Sequence, residues 1–174
     1  VEHPGGAVPF ADGGFAGSDD GRFEFRSSRF DDAFGLGQLP RFIEPAESPE
    51  SRPDLAARYP LRLLTLKRPH SINSSYGDLP VLRGAEPELR VEIHPDDAAC
   101  RDIEDGQAVN AFNDRGRVAG SALITDRVPA GMIVVPFGRW LDGGRGANAL
   151  TGDELGDISG GPTFCDVLVE VEPA

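Results

Sequence analysis

The sequence predicts a mainly β protein in which about six short strands close into a barrel that carries one or two short helices. Three observations support this fold class. Apolar and polar residues alternate in short segments such as 89–93, which is typical of half-buried strands. Residues 113–116 read Asn-Asp-Arg-Gly, the composition of a tight hairpin turn. The last alternating segment, 167–172, stands at the end of the chain, where it can close the sheet.

One short helix is predicted between the second and third strands. Pro95 suits the first turn of a helix because its missing N–H is not needed there. Asp96 and Asp97 follow at the positive end of that helix, Gly106 ends the turn, and His94 is interpreted as structural. The predicted strands are 61–66, 89–93, 107–113, 117–125, 131–136 and 167–172, and the predicted core contains Val91, Ile93, Val109, Ile124, Val134 and Val169.

Composition limits the partners. The 174 residues suffice for one domain with an extension, and a net charge of -12 argues against nucleic acid or an anionic membrane as a partner. The sequence contains no apolar run near the length of a transmembrane helix. Cys100 and Cys165 are interpreted as partly buried free thiols of a cytoplasmic protein, with a disulfide as the alternative.

Residues 1–54 differ from the remainder of the chain. They are rich in Gly and Pro and show little periodicity, so they are predicted to form an irregular N-terminal arm. This arm is either the tail of a preceding domain or a segment that packs on the barrel. Within it, 22–26 is predicted as a short strand with both Phe residues on one face, and 44–53 as a charged linker.

A first polar loop covers residues 67–77, directly after a predicted strand. Its amide, hydroxyl, imidazole and ammonium groups suit a phosphate or a heteroaromatic ring with many polar edges. Lys67 is the only lysine in the chain, which indicates that this position needs an ammonium group. The alternative interpretation is an ordinary surface loop with His70 exposed.

A second polar loop covers residues 143–154 and is rich in glycine. Thr151 and Glu154 have the spacing of a capping box, which predicts a helix start and with it an anion site. The pattern is neither a P-loop nor a strand-turn-helix dinucleotide fingerprint, because the required residues do not follow. A plain surface loop is the alternative interpretation.

The sequence offers no recognisable catalytic residues or metal ligands. It has three histidines, and none of them belongs to a Ser-His-Asp or His-Glu-x-x-His arrangement. Two distant cysteines do not form a structural metal site by themselves. The residues alone therefore predict a binding module.

The order of motifs nevertheless resembles one family. A strand that ends in Thr65 and Lys67, followed by His70, Asn73 and Ser74, is similar to a loop of molybdopterin oxidoreductases of the dimethyl sulfoxide reductase family. The resemblance extends over about residues 58–173. Leu66 and Pro69 depart from the family pattern. The other blocks that resemble the family, in the same order, are 92–98, 105–106, 112–116, 128–131, 147–151 and 160–164.

The resemblance implies a specific domain, fold and cofactor. Residues 55–174 would be the C-terminal molydopterin dinucleotide-binding domain, a double-psi β-barrel, and residues 1–54 the tail of the preceding domain with its linker. The domain would help to bind bis-molybdopterin guanine dinucleotide carrying molybdenum or tungsten. By matching positions, the cofactor-binding residues would be Lys67, His70, Asn73, Ser74, Asn148 and Thr151.

The same resemblance implies a longer parent enzyme. The parent would be an oxidoreductase similar to formate dehydrogenase or nitrate reductase, with an iron–sulfur cluster outside this chain. Its partners would be upstream domains of the same subunit and an electron-transfer subunit, and the present chain would not be catalytic alone. The alternative is a stand-alone double-psi barrel that binds a partner protein, as some barrel domains of chaperone ATPases do.

Overall fold

A computed structural model describes residues 14–15, 20–70, 72–76, 79–85, 88–138, 146–156 and 160–174. Backbone contacts divide the chain into two units, Val1–Ile43 and Glu44–Ala174. All the strands described belong to the second unit. The boundary at residues 54 and 55, drawn from the sequence, stays a prediction.

The second unit is a closed barrel of six strands. The strands follow one another around the barrel in the order β1-β5-β2-β4-β3-β6, and β6 pairs with β1 to close it. Two pairs are parallel, β1 with β5 and β2 with β4, and the other four are antiparallel. The predicted mainly β barrel is therefore confirmed. The strands are β1 Leu61–Leu64, β2 Arg90–Ile93, β3 Ala108–Phe112, β4 Arg117–Ile124, β5 Met132–Val134 and β6 Leu168–Pro173.

The alternation of side chains along the strands forms the core. In β1, Leu61 and Leu63 are buried whereas Arg62 between them is exposed. Burying a Val or Leu side chain of this kind contributes roughly 1.5–3 kcal/mol. Of the predicted core, Ile124 is only partly buried against the cluster, and Val134 is buried outside it. The remaining predicted residues, Val91, Ile93, Val109 and Val169, all lie in the core cluster.

The predicted helix after β2 is present as α4, Pro95–Ala99. Pro95 occupies its first turn, and Nδ1 of His94 accepts a hydrogen bond from the backbone N–H of Asp96 at 3.2 Å. The structural role predicted for His94 is therefore confirmed as that of a helix cap. The carboxylate of Asp97 accepts a hydrogen bond from the N–H of Gly131 at 2.7 Å, which holds the helix against the start of β5.

The described residues contain three further α-helices that were not predicted from the sequence. They are α1 Ser28–Phe34, α2 Pro53–Ala56 and α3 Pro80–Ala85. The hydroxyl of Ser27 caps α1 by accepting a hydrogen bond from the N–H of Phe30 at 3.1 Å. Each of these helices is at most two turns long, so it gives little periodicity that a sequence pattern could reveal.

Two expectations about the surface are corrected. The strand predicted at 22–26 is absent, since this segment forms bends and the rings of Phe23 and Phe25 contact each other at 4.8 Å between centroids. The described part of its own unit, Val1–Ile43, contains no strand that could supply ladder hydrogen bonds. Cys100 and Cys165 are free thiols as predicted, but both are exposed and not partly buried. Among the described residues, no helix has the length and apolarity needed to cross a membrane.

Candidate functional site

Parallel pairing of β1 and β5 brings two chain segments to one end of the barrel. Because the strands are parallel, their carboxyl ends meet at the same edge. The pairing continues beyond the strands, since the N–H of Val135 bonds the carbonyl of Leu64 and the N–H of Phe137 bonds that of Leu66, both at 3.1 Å. The polar loop after β1 and the segment after β5 therefore leave the barrel side by side.

The loop after β1 makes a tight turn against Gly138. An isolated bridge pairs Ile72 with Ser75, and the N–H of Ser75 bonds the carbonyl of Ile72 at 2.9 Å. Asn73 lies in this turn with a positive φ of 52°. Gly138 has a φ of 87°, and a Cβ there would lie 2.2 Å from the carbonyl oxygen of Asn73. Only glycine allows so close an approach, so it fixes where the turn presents Asn73 and Ser74.

The second polar loop contributes a short 3-10 helix, Ala147–Ala149. Leu150, which follows it, is fully buried, and Ala147 belongs to the core cluster. The side-chain amide of Asn113 donates a hydrogen bond to the carbonyl of Leu150 at 2.9 Å. Asn148, two residues before Leu150, and Thr151, the residue after it, are thereby held at the surface. Asn148 is exposed and Thr151 is half-buried.

These three segments, together with Phe164, line a cleft of about 400 Å³. Its lining contains side-chain amides, hydroxyls and two aromatic rings, and no charged side chain lies among the described residues that line it. Four of the six residues predicted from the two polar loops are brought together here, although the loops are far apart in sequence. The described lining consists of Thr65, Asn73, Ser74, Phe137, Gly138, Ala147, Asn148, Thr151 and Phe164.

Lys67 and His70 are the two predicted residues outside this lining. Both are exposed on the loop after β1. Among the described residues, the last backbone hydrogen bond that links this loop to the segment after β5 is that of Leu66, just before Lys67. A role for Lys67 and His70 in cofactor binding stays a prediction.

Thr65 is a site residue that the sequence did not reveal. It is 8% exposed, and its hydroxyl has no hydrogen-bond partner in the described part of the structure. Leaving such a buried polar group unsatisfied costs about 1–3 kcal/mol. Since Thr65 lines the cleft, this hydroxyl is available to a ligand. Threonine is common in strands because of its high β propensity, so the sequence pattern explained Thr65 as a strand residue and did not indicate a ligand-binding role.

Two aromatic residues were also missed. Phe137 and Phe164 line the cleft, and Phe164 keeps 42% of its surface exposed. Exposed aromatic rings offer apolar faces on which a planar ring can stack. In the sequence, both residues had the appearance of ordinary core or surface apolar residues. Only the topology of the barrel shows that they flank the same polar groups.

The helix predicted from the capping box at Thr151 does not form. Residues 151–154 are irregular, and the helical turn precedes them at 147–149. Beyond Thr151 the chain is extended, because the carbonyl of Glu154 accepts the N–H of Thr163 at 3.2 Å and Leu155 pairs with Pro162. This pairing competes with helix formation, so the predicted helix-start anion site is absent.

The hairpin turn beside the cleft carries a charged contact. Arg58 donates hydrogen bonds to Asp114 at 2.9 and 2.5 Å, and the hydroxyl of Tyr59 donates another at 2.8 Å. The bonds from Arg58, followed by that from Tyr59, lower the pKa of Asp114 below its ordinary value of 3.8. Within the described part of the chain, no group of three or more His, Cys, Asp or Glu residues could hold a metal ion.

Comparison with known proteins identifies the barrel. A family model described as the molydopterin dinucleotide binding domain matches residues 61–168. The probable oxidoreductase YyaE of Bacillus subtilis (strain 168) is 34% identical over 154 residues, which cover 88% of this chain and 22% of that protein. A dimethyl sulfoxide/trimethylamine N-oxide reductase of Rhodobacter capsulatus is 35% identical over 128 residues, covering 69% of this chain and 14% of that protein.

A solved structure supports the same assignment. Acetylene hydratase from Pelobacter acetylenicus superposes with a TM-score of 0.78 at 26% sequence identity, over 90% of this chain and 24% of that one. The present chain thus spans less than a quarter of the length of each of these three proteins. The chain belongs to the molydopterin dinucleotide binding domain family, as found in molybdopterin oxidoreductases of the dimethyl sulfoxide reductase family.

Proposed function

We propose that the cleft binds part of a bis-molybdopterin guanine dinucleotide cofactor and that the chain acts as a cofactor-binding domain of a longer molybdenum or tungsten enzyme. The single observation that carries this proposal is the buried hydroxyl of Thr65, which lacks a partner in the described structure and borders a cleft lined by amides and hydroxyls. A site that leaves a buried donor unsatisfied without ligand gains a hydrogen bond when a polar ligand enters.

The residues of the cleft fit this cofactor. Pterin and guanine rings present many polar edges, which Asn73, Asn148, Ser74 and Thr151 can pair with as donors and acceptors. Phe137 provides an apolar face for a planar ring. The volume of about 400 Å³ lies in the lower part of the range of about 300–1,000 Å³ for ligand sites. The cleft therefore suits one ring system of the cofactor, and other domains would cover the remainder.

The residues of this chain would bind and orient the cofactor. When bound, the cofactor supplies the metal centre at which the parent enzyme's chemistry occurs. The amide and hydroxyl groups of the cleft would fix the position of one end of the dinucleotide, and the aromatic walls would exclude water from it. Lys67 and His70 are exposed on the same loop, where the ammonium of Lys67 and a ring N–H of His70 would be available to donate hydrogen bonds to phosphate oxygens.

The reaction of the parent enzyme is a further proposal. The names of the relatives support a reductase of sulfoxides or N-oxides, and they give no support to the formate dehydrogenase- or nitrate reductase-like parent expected from the sequence. An iron–sulfur cluster in the parent stays a prediction. Acetylene hydratase is named for a hydration, so likeness to this barrel does not by itself determine the reaction type.

The partners follow from the same proposal. Because the chain spans under a quarter of each compared protein, further domains of one subunit would cover the open side of the cleft. An electron-transfer subunit and a cytoplasmic location stay predictions. The net charge of -12 supports partners other than nucleic acid or anionic lipid.

Nuclear magnetic resonance titration of the isotope-labelled chain tests the proposal. Guanosine diphosphate and 6-hydroxymethylpterin serve as probes for the two halves of the dinucleotide. We expect at least one probe to bind in the millimolar range, with shifts concentrated at Asn73, Asn148 and Thr151. Shifts confined to the second groove, which has about 390 Å³ and is lined by residues 88–89, 106, 108 and 119–121, would contradict the proposal. Absence of binding by either probe would contradict it as well.

A further inference from the structure

An ion pair between the half-buried Glu47 and the exposed Arg115 lies beside the 3-10 helix of the cleft. Both carboxylate oxygens of Glu47 accept hydrogen bonds from the guanidinium of Arg115. Nη1 donates to Oε1 at 3.3 Å, and Nη2 donates to Oε2 over a shorter distance. The same Oε1 accepts the backbone N–H of Leu168 at 2.6 Å. The Glu47 side chain is only 10% exposed, and that of Arg115 is 37% exposed. Glu47 thus attaches a segment predicted as a linker to the start of β6.

The guanidinium of Arg115 also contacts the segment that forms one wall of the cleft. Its Nη1 lies 3.5 Å from the carbonyl oxygen of Leu150, which also accepts the amide of Asn113 at 2.9 Å. The backbone N–H of Arg115 in turn bonds the Oδ1 of Asn113 at 3.0 Å. The carbonyl at the end of the 3-10 helix is therefore held by two side chains of one hairpin turn.

The 3-10 helix needs such external anchors. It contains three residues, and its own hydrogen bonds are the two from Ala149 to Gly146 and from Leu150 to Ala147, both at 2.9 Å. A single turn of this kind has poor hydrogen-bond geometry and is not stable in isolation. Asn148 and Thr151 lie on either side of the anchored Leu150, so the anchors determine where these two side chains stand in the cleft.

The backbone of the hairpin turn at 113–116 also lies close to the 3-10 helix. A Cβ on Gly116 would lie 2.6 Å from the carbonyl oxygen of Ala149, so the hairpin backbone touches the 3-10 helix directly. A Cβ on Gly152 would lie 3.5 Å from Nη2 of Arg115, which places the guanidinium beside the chain that follows Thr151. Arg115 therefore contacts the segment both at Leu150 and after it.

We infer that Glu47 and Arg115 are positioning residues, which hold the 3-10 helix so that Asn148 and Thr151 face the bound cofactor. The inference rests on the proposed function of the cleft. The hydrogen bonds that Arg115 donates to Glu47 raise the pKa of its guanidinium, which is charged at all physiological pH values. Glu47 fixes the orientation of this guanidinium, because a planar group that is hydrogen-bonded to a carboxylate along one edge has little freedom to rotate.

Hydrogen exchange of single backbone amides tests the anchoring. We expect Arg115→Ala to raise the exchange rates of the Ala149 and Leu150 amides at least tenfold, while the amides of the β3–β4 ladder change much less. Arg117→Ala is the matched control, because Arg117 forms an ion pair with Glu172 at 2.6 Å on the same barrel and has no described hydrogen bond with the 3-10 helix. Equal exchange at Leu150 in the two variants, or acceleration spread evenly over the barrel, would overturn the inference.

Two gentler substitutions keep the test valid if Arg115→Ala does not fold. Glu47→Gln removes the charge but leaves an oxygen that can accept the N–H of Leu168, so we expect the barrel to fold with faster exchange at Leu150. Arg115→Lys keeps the positive charge but loses the paired N–H donors of the guanidinium. The exchange rate of its Leu150 amide should therefore lie between those of wild type and Arg115→Ala. Wild-type exchange at Leu150 in Glu47→Gln would overturn the role of Glu47.

Probe binding separates this inference from the proposed function. With guanosine diphosphate and 6-hydroxymethylpterin as ligands, we expect Glu47→Gln and Arg115→Ala to weaken the probe that wild type binds by about fivefold or more. Arg117→Ala should bind as wild type does. Unchanged affinity in both site variants would overturn the positioning role and leave the proposed function intact. If wild type bound neither probe, the proposed function would fail, and the positioning role would fail with it.

Discussion

A Cβ on Gly138 would lie 2.2 Å from the carbonyl oxygen of Asn73. The backbone after β5 therefore touches the turn after β1 at the wall of the cleft. Gly138 also has a φ of 87°, a conformation that side chains other than glycine rarely adopt. One residue thus combines conformational freedom with the space that the turn needs.

We predict that Gly138→Ala displaces the turn that carries Asn73 and weakens binding of the probe ligands. Gly131→Ala is the matched control, because Gly131 has a φ of 82° at the other end of β5 and its Cβ would meet nothing within 4 Å. Both variants should lose stability through backbone strain, of about 1 kcal/mol or more. Binding isotherms with the two probes should show the additional loss only for Gly138→Ala, and equal affinities would contradict the contact.

The core prediction concerns Val91, which is fully buried in β2. Val91→Ala should lower the free energy of unfolding by about 1–3 kcal/mol, as the sum of lost transfer energy and a cavity. Val81, which is 75% exposed, gives the control, and Val81→Ala should stay within about 0.5 kcal/mol of wild type. Urea unfolding measures both, and equal midpoints would contradict the position of Val91.

The contact between Arg58 and Asp114 predicts a dependence on pH. The pKa of Asp114 is lowered from its ordinary value of 3.8, so the unfolded state binds the proton more readily than the folded state. This contribution to stability is present above pH 3.8 and is lost as the pH falls through the folded-state pKa. Asp114→Asn should therefore reduce the slope of stability against pH in this acidic range.

Asp54 provides an instructive control. Its hydrogen bond with Arg52 lowers its pKa to about 2, but Arg52 is only two residues away. Such a local pair can also form in the unfolded chain, which diminishes the difference between the two states. Thermal unfolding across the acidic range should therefore respond less to Asp54→Asn than to Asp114→Asn, and the reverse order would contradict this interpretation.

We also predict that the 174-residue chain alone retains no stoichiometric molybdenum or tungsten and shows no turnover with viologen dyes. Its cleft of about 400 Å³ is open and offers walls for only part of a bis-dinucleotide, whereas tight binding needs most of the ligand surface buried. Metal analysis of the purified chain is the measurement. Stoichiometric metal or turnover would show that this chain is a self-sufficient enzyme.

Local patterns predicted most of the barrel. Each of the six strands had alternation or a short apolar run, and Pro95 marked the start of α4. Five of the six predicted strands are longer than the observed ones, for example 131–136 against Met132–Val134, because apolar runs continue past the regular part of the strand. The alternation of apolar and polar residues shows which face of a strand is buried, but it does not show at which residue the pairing with the neighbouring strand ends.

Contacts distant in sequence could not be predicted. Glu47 has the appearance of a linker residue, and only the folded chain shows that it bonds the backbone of Leu168. The resemblance named Asn73, Asn148 and Lys67 as cofactor contacts, and in the folded chain Asn73 and Asn148 line one cleft whereas Lys67 lies outside its described lining. A loop's composition indicates what it can bind, but the last paired residue of the strand determines which side chains reach the site.

The affinity of the Thr65→Val variant for the probe ligands tests the central claim most directly. Valine has nearly the same shape as threonine and lacks the hydroxyl, which has no partner in the described structure. We expect the variant to be as stable as wild type or more stable, because an unsatisfied buried group is removed. Thr65→Ser, which retains the hydroxyl, is the control for binding. The account predicts that Thr65→Val binds the probe about 2- to 10-fold more weakly than wild type, as expected for one lost hydrogen bond, while Thr65→Ser binds nearly as well as wild type. Unchanged affinity in Thr65→Val, or a loss of stability without a loss of affinity, would contradict the claim that this hydroxyl and the cleft around it receive the cofactor.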